Sequence, residues 1–281
     1  MTIFQGALLG LLQGIGEFLP VSSSGHMLLA RILMGIQEDT PEMKMLDVLM
    51  HLGTLIPLLI VFRKEWIHMI RHPWKDPTLR LLVLSAVPTV IFYLLAKLVF
   101  LKPYDGYAIF DSGWFLGPAY LMTAVLLILA DKLGKNSKKT EVGYKQMTAM
   151  GIIQGGIAVI PGVSRSGSTI FAGVASGLNR ETAARFSFMM SAPVIAGGLL
   201  LELKNVVEEN YVTRIAVGPT VVGIIVAAIV GFLTIRFFLK IIKKSTLLWF
   251  ALYCAILGVF VLIMQLSGNP NFPPFQLPAV G

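Results

Sequence analysis

Gly10-Leu11-Leu12-Gln13-Gly14 and Gly151-Ile152-Ile153-Gln154-Gly155 are one pattern written twice, and Pro20 and Pro161 continue the match at the same offset. After an extra Gly162, Val21-Ser22-Ser23-Ser24-Gly25 matches Val163-Ser164-Arg165-Ser166-Gly167. The ordered recurrence of Gly, Gln, Gly, Pro, Val, Ser, Ser and Gly argues against a chance likeness of small apolar segments. Each copy lies in an apolar stretch, 1–34 or 146–178, that Gly, Pro, Ser and ionisable groups interrupt. Neither reads as a plain span, and each is long enough to enter a membrane and come back. Polar, non-helical backbone at membrane depth is tolerated only where protein or water covers it. Both stretches are therefore predicted to be re-entrant hairpins.

The composition supplies the membrane. The 281 residues are 56% hydrophobic and 14% charged, against about 25% charged in soluble domains, and mean hydropathy is +0.77. Six stretches of about 20 apolar residues are predicted to span: 46–63, 79–100, 113–131, 186–203, 219–239 and 247–266. Met1 to Leu12 carries no Lys or Arg and does not read as a secretory signal. The single Cys254 excludes an intramolecular disulfide framework and a cysteine-based metal centre.

Basic residues set the orientation. Arg63, Lys64, Arg71, Lys75 and Arg80 follow the first span; Lys132, Lys135, Lys138, Lys139 and Lys145 follow the third. Arg180 and Arg185 precede the fourth, and Arg236, Lys240, Lys243 and Lys244 follow the fifth. All fall on one side. The other side mixes Lys44, Lys102, Lys204 and Arg214 with Glu38, Asp39, Glu42, Asp105, Asp111, Glu208 and Glu209. Both termini are thus expected outside the cytoplasm, and the net charge of +8 is a membrane-orientation signal rather than a nucleic-acid footprint. The expected fold is all-α and polytopic, one membrane domain of six transmembrane helices and two re-entrant hairpins. Repeat 1 covers about 1–131, repeat 2 about 146–266, and 267–281 reads as a tail. A hairpin returns to its own side and three spans then cross, so the second hairpin enters from the opposite face. That is an inverted-topology repeat, with a site expected at the repeat interface near mid-membrane.

Ionisable groups away from span ends are few: Glu17, His26 and Arg165 on the hairpins, and His51 early in the first span. Charge in the bilayer interior is costly and by default functional. Arg165 offers a fixed fork of donors matched to phosphate, and a helix restarting near Ser166 would aim its positive end at the same point. Ser164, Ser166, Gly167, Ser168, Thr169 and, on the first hairpin, Ser24 are the expected phosphate donors. No Gly-Lys-Ser/Thr follows either glycine cluster, which excludes a Walker loop. Gln13 and Glu17 are four apart and share a helix face; together they suit a hard cation, Mg²⁺ or Ca²⁺. Ser23 and His26 are three apart, so the imidazole could serve the hydroxyl as base, or attack phosphorus itself. His51 is read as a packing histidine and given no catalytic role.

Gln13-Gly14-Ile15-Gly16-Glu17-Phe18-Leu19-Pro20-Val21-Ser22-Ser23-Ser24-Gly25-His26 resembles the (E/Q)xxxE region and serine–histidine segment of the undecaprenyl-pyrophosphate phosphatases of the bacitracin-resistance type. Pro161 to Thr169 resembles that family's PGxSRSGxT motif. The likeness extends over nearly the whole chain. It implies hydrolysis of a lipid pyrophosphate, undecaprenyl pyrophosphate, to the monophosphate, recycling the carrier used for cell-wall synthesis. It further implies a divalent metal, a cavity open to the outer face of a bacterial plasma membrane, and a homodimer. On this chain it assigns Glu17 and Gln13 to the metal, Arg165 to the phosphates, and Ser23 with His26 to the attack. Acid-phosphatase-like lipid phosphatases also contain Ser-Gly-His, but they need a histidine six residues after the later arginine, where this chain has Phe171. The competing reading is a transporter or flippase of a polyprenyl phosphate, which would need the anion cradle but not a nucleophile.

Overall fold

The computed structural model describes residues 1–36, 41–100, 113–157, 160, 162–209 and 216–275. Pro161 and the loop charges Glu38, Asp39, Lys102, Asp105, Asp111 and Arg214 lie outside the described residues, as do the side chains of Glu42, Lys44, Lys204, Glu208 and Glu209. The chain is all-α: α1 Ile3–Gly16, α2 Ser23–Met34, α3 Pro41–Val61, α4 Arg63–Arg71, α5 Pro77–Phe100, α6 Leu116–Gly134, α7 Tyr144–Ile157, α8 Arg165–Ala175, α9 Arg180–Glu209, α10 Val217–Ile241 and α11 Leu248–Leu266. Among the described residues the only extended pairing is an isolated bridge between Lys139 and Leu178.

Among the described residues five helices, α5, α6, α9, α10 and α11, are long and apolar enough to cross a membrane. The sixth predicted span is α3, which breaks at buried Phe62 and bends by 77° into α4. The basic stretch expected to be a loop after that span is thus partly helical. Arg185 of α9 pairs with Glu65 of α4 and lies over the Phe62 ring, fixing the bend. The predicted tail also begins as structure. Phe272 is buried beside Leu28, Tyr120 and Val261, and Gln265 Nε2 donates to the Pro273 carbonyl at 3.3 Å.

The hairpin segments form short helices. α1 and α7 have 14 residues each, about 21 Å at 1.5 Å per residue, well short of a hydrocarbon core of about 30 Å. Thr2 starts α1 with a reciprocal cap to Gln5, and Gly35 ends α2 in a left-handed conformation. Pairing between the halves is exchanged: α1 lies along α10 and α7 along α5, while α3 meets α9 and α6 meets α11.

Small residues permit the two long contacts. A Cβ on Gly10 would stand 2.2 Å from the Gly223 carbonyl oxygen, and one on Gly155 would stand 2.1 Å from the Thr89 carbonyl oxygen. Both neighbours are backbone and cannot yield without separating the helices. Gly155→Val is therefore expected to cost about 1–3 kcal/mol or more, read as a lower melting midpoint in detergent. Gly156→Ala, where an added Cβ meets nothing within 4 Å, should leave that midpoint in place or raise it.

Candidate functional site

Each hairpin turns into its second helix through a serine cap. Ser22 Oγ accepts from the Gly25 N–H at 3.1 Å, and Ser164 Oγ accepts from the Gly167 N–H at 3.0 Å. The match extends to the hydroxyl pairs Ser22–Ser24 at 3.5 Å and Ser164–Ser166 at 3.3 Å. The turns differ where the sequences differ. Ser22 itself takes φ +75°, whereas the second hairpin places its positive φ, +90°, at the extra Gly162. A non-glycine residue there stores about 1–3 kcal/mol of strain, and the bonds around Ser22 hold it.

These caps bring the two helix starts together. The Gly162 N–H donates to Ser24 Oγ at 3.3 Å, Ser166 Oγ donates to the Leu19 carbonyl at 3.1 Å, and the Ser164 N–H donates to Thr123 Oγ1 of α6 at 3.0 Å. Ser23 and Arg165, the first residues of α2 and α8, consequently meet at Glu17. Arg165 Nη2 stands 2.5 Å from Glu17 Oε1, and its Nη1 donates to the Ser187 carbonyl at 3.2 Å. The other carboxylate oxygen, Oε2, accepts from Ser23 Oγ at 2.9 Å and from Gln13 Nε2 at 3.2 Å. His51 Nε2 lies 3.5 Å from the same Oε2.

A cavity of about 270 Å³ opens over this cluster. Glu17, Ser22, Ser23, Ser24, His51, Ser164, Arg165, Ser166 and Ser191 form its polar wall, and Val48, Val163, Val194, Ile195 and Leu199 its apolar wall. Of the residues singled out from sequence, Glu17, Ser23, Ser24, Ser164, Arg165 and Ser166 converge here. Gln13 is buried just behind, on the carboxylate.

The structure does not bring the others to the cavity. Ser168 and Thr169 bond back to the Ser164 and Arg165 carbonyls at 2.8 Å each, the usual habit of hydroxyls four residues along a helix. The Gly167 N–H is taken by the cap. His26 faces away from Ser23. Its Nδ1 lies 2.6 Å from the Ser22 carbonyl, an acceptor only, so Nδ1 carries the proton and Nε2 accepts from the Tyr253 hydroxyl at 2.6 Å. The ring stacks on Tyr253 and meets Tyr120 edge-on.

Sequence reasoning set His51 aside and did not reach Thr123, Ser187, Tyr120 or Tyr253. His51 carried a usable signal as an ionisable residue inside a span. The others are ordinary residues of remote spans, and only the packing reveals them.

Among the described residues no three His, Cys, Asp or Glu cluster for a metal. The arrangement nonetheless fits a cation beside Glu17. Arg165 takes Oε1, while Oε2 faces Ser23, Gln13 and His51, and Gln13 Oε1 is buried without a hydrogen-bond partner among the described residues.

The family described as "Bacitracin resistance protein BacA" matches residues 6–260. A Carboxydothermus hydrogenoformans protein named undecaprenyl-diphosphatase is 40% identical over 271 residues, 96% of this chain and 100% of the relative. One of the same name from Halothermothrix orenii is 39% identical, covering 94% and 98% of the two chains. A Bacillus cereus protein named undecaprenyl-diphosphatase 4 is 34% identical, covering 95% and 99%.

Proposed function

The chain belongs to the bacitracin resistance protein BacA family, and from that membership we propose that it hydrolyses undecaprenyl diphosphate to undecaprenyl phosphate and inorganic phosphate. It is a multi-pass bacterial membrane enzyme, and the reaction returns the lipid carrier to cell-wall synthesis. The observation that carries the reading is the Arg165–Glu17–Ser23 cluster beneath a cavity at two helix starts.

The headgroup enters this cavity and its terminal phosphate takes Arg165, whose fork matches phosphate as it matches carboxylate. The Ser24 hydroxyl and the starts of α2 and α8 hold the remaining oxygens. Val48, Val194, Ile195 and Leu199 receive the first part of the isoprenoid chain. With Arg165 engaged by phosphate, Glu17 is free to take the Ser23 proton through the hydrogen bond it already accepts. Ser23 Oγ then bonds to the terminal phosphorus and the anhydride P–O bond breaks, releasing undecaprenyl phosphate. Glu17 passes that proton to the departing lipid phosphate; water then attacks the phosphoserine and gives a proton to Glu17, which returns it to Ser23 Oγ as the P–O bond breaks and inorganic phosphate departs. Gln13 and Glu17 would hold a divalent cation, Mg²⁺ or Ca²⁺, which supplies charge neutralisation for the bound headgroup. His26, held by Ser22, Tyr120 and Tyr253, positions the turn that carries Ser23.

The two halves are read as an inverted repeat, about 1–131 and 146–266, with hairpins 1–34 and 146–178 re-entering from opposite faces. The exchanged pairs α1–α10 and α7–α5 support this reading. The cavity continues toward Val48 near the start of α3 and Leu199 in the second half of α9, the ends that the basic loops assign to the outer face. The termini and the cavity mouth are accordingly extracytoplasmic, and the dimer implied by the resemblance belongs to the same proposal. A transporter of polyprenyl phosphate would have use for Arg165 but none for a serine hydrogen-bonded to a buried carboxylate.

The test is phosphate release by purified protein from a C55 diphosphate, with and without divalent ions. Turnover that chelation abolishes is the expected result. Binding and transfer across vesicles without phosphate release would favour the transporter.

A further inference from the structure

We propose that His51 is a third protein ligand of the cation at Glu17 and turns an oxygen site into a mixed nitrogen–oxygen one suited to a transition ion such as Mn²⁺. The inference rests on the reading of Glu17 and Gln13 as cation holders and adds to it a residue and a metal class.

The tautomer of the neutral ring follows from its neighbours. His51 Nδ1 lies 2.7 Å from the Asp47 carbonyl, which can only accept, so the Nδ1 position carries the hydrogen. Neutral His51 therefore presents a bare lone pair at Nε2, and the atom facing it is Glu17 Oε2 at 3.5 Å. A hydrogen bond would draw the pair to about 2.7–3.2 Å. Two ligands of one cation, each about 2.0–2.2 Å from it, stand about 3.0–3.5 Å apart.

The support behind the ring is of the kind that ligating histidines have, with the second ring N–H given to a backbone carbonyl. Asp47, which supplies that carbonyl, is itself clamped by buried Arg31 through two 3.0 Å bonds. Gln13 completes the set. Its buried Oε1 lacks a partner among the described residues, and a half-turn of the amide exchanges that oxygen for the nitrogen now 3.2 Å from Glu17 Oε2. Gln154, its counterpart in the second hairpin, also leaves Oε1 without a partner among the described residues, but that repeat has Ala158 at the position matching Glu17 and no histidine nearby in sequence. The cation site therefore belongs to one hairpin only. Imidazole favours transition ions, whereas carboxylate, carbonyl and water ligands alone favour Mg²⁺ and Ca²⁺.

Binding of Mn²⁺ to the purified full chain, read as loss of the free-ion electron paramagnetic resonance signal, tests this without turnover. Wild type should bind Mn²⁺, Glu17→Gln should not, and His51→Gln should bind it at least tenfold more weakly with Ca²⁺ affinity within about threefold of wild type. His51→Ala is the second variant, and melting without metal confirms that each is folded. If both His51 variants match wild type in Mn²⁺ affinity while Glu17→Gln has lost it, His51 is no ligand, its contact with Glu17 is a proton-sharing pair, and only this inference fails. If wild type takes up no Mn²⁺, or Glu17→Gln takes it up as well as wild type, the cation site itself is overturned.

Discussion

Arg165→Ala is expected to lower kcat/KM for phosphate release by about 10³-fold or more, the scale of loss when an arginine that stabilises a transferring phosphoryl group is removed. The effect has two parts that need separating. Arg165 is also the counter-ion of Glu17, whose side chain is only 5% exposed. Truncating one member of a buried pair leaves the other uncompensated and costs about 3–5 kcal/mol of stability. Arg165→Ala should therefore melt earlier as well as turn over slowly. Arg165→Lys keeps a charge against Glu17 but loses the planar fork, so it should recover most of the melting midpoint and little of the activity. Arg165→Ala combined with Glu17→Gln should restore the midpoint and none of the activity. Paired melting and phosphate-release curves on these variants decide the matter. Wild-type turnover in Arg165→Ala would remove the cradle from the mechanism.

The repeat explains why so much of this molecule was legible. Long apolar runs gave α5, α6, α10 and α11 within about three residues at each end, because a bilayer enforces length and hydrophobicity more strictly than a soluble core does, while α9 extends six residues beyond the predicted 186–203 at each end. The twice-written Gly-x-x-Gln-Gly stretches marked the matching segments that become α1 and α7, but the close approach of α1 to α10 and of α7 to α5 that their glycines permit shows only in the packing. The repeated Ser-x-Ser-Gly was visible too, but Ser164, expected to donate to phosphate, instead caps α8. Spacing along one helix served less well. Ser23 and His26 are three apart and lie on the same turn of α2, yet the hydroxyl goes to Glu17 and the ring to Tyr253. Sequence proximity states what can meet, and the residues that arrive from α3, α6, α9 and α11 settle what does. The same limit applies to Ser168 and Thr169, whose place in a phosphate-like motif did not disclose that their own helix would take their hydroxyls. Divergence between the repeats is informative in turn. Ser23 of one hairpin corresponds to Arg165 of the other, and Glu17 to Ala158. Two like sequences thus build an asymmetric site, with acid and hydroxyl supplied by the first and the guanidinium by the second.

Ser23→Ala is expected to reduce kcat by about 10³-fold or more and to abolish any trapped phospho-enzyme, because it removes the attacking oxygen. His26→Ala should cost far less, about 10- to 100-fold. Both nitrogens of that ring are engaged, one by the Ser22 carbonyl and one by Tyr253, so its loss loosens the turn that carries Ser23 without removing a reacting atom. Tyr253→Phe offers a milder version of the same disturbance, leaving the stacked ring but freeing Nε2. If His26 were instead the nucleophile, the pattern would reverse. Ser23→Ala would still accumulate phospho-enzyme, and the adduct would be a phosphoramidate, labile in acid and stable in base. A phosphoserine survives acid and is lost in base. Quenching single turnovers of wild type, Ser23→Ala and His26→Ala, then splitting each sample between acid and alkali, distinguishes the two oxygen- and nitrogen-linked intermediates directly. An acid-stable adduct present in wild type and His26→Ala but missing from Ser23→Ala is what the hydrogen bond from Ser23 to Glu17 requires.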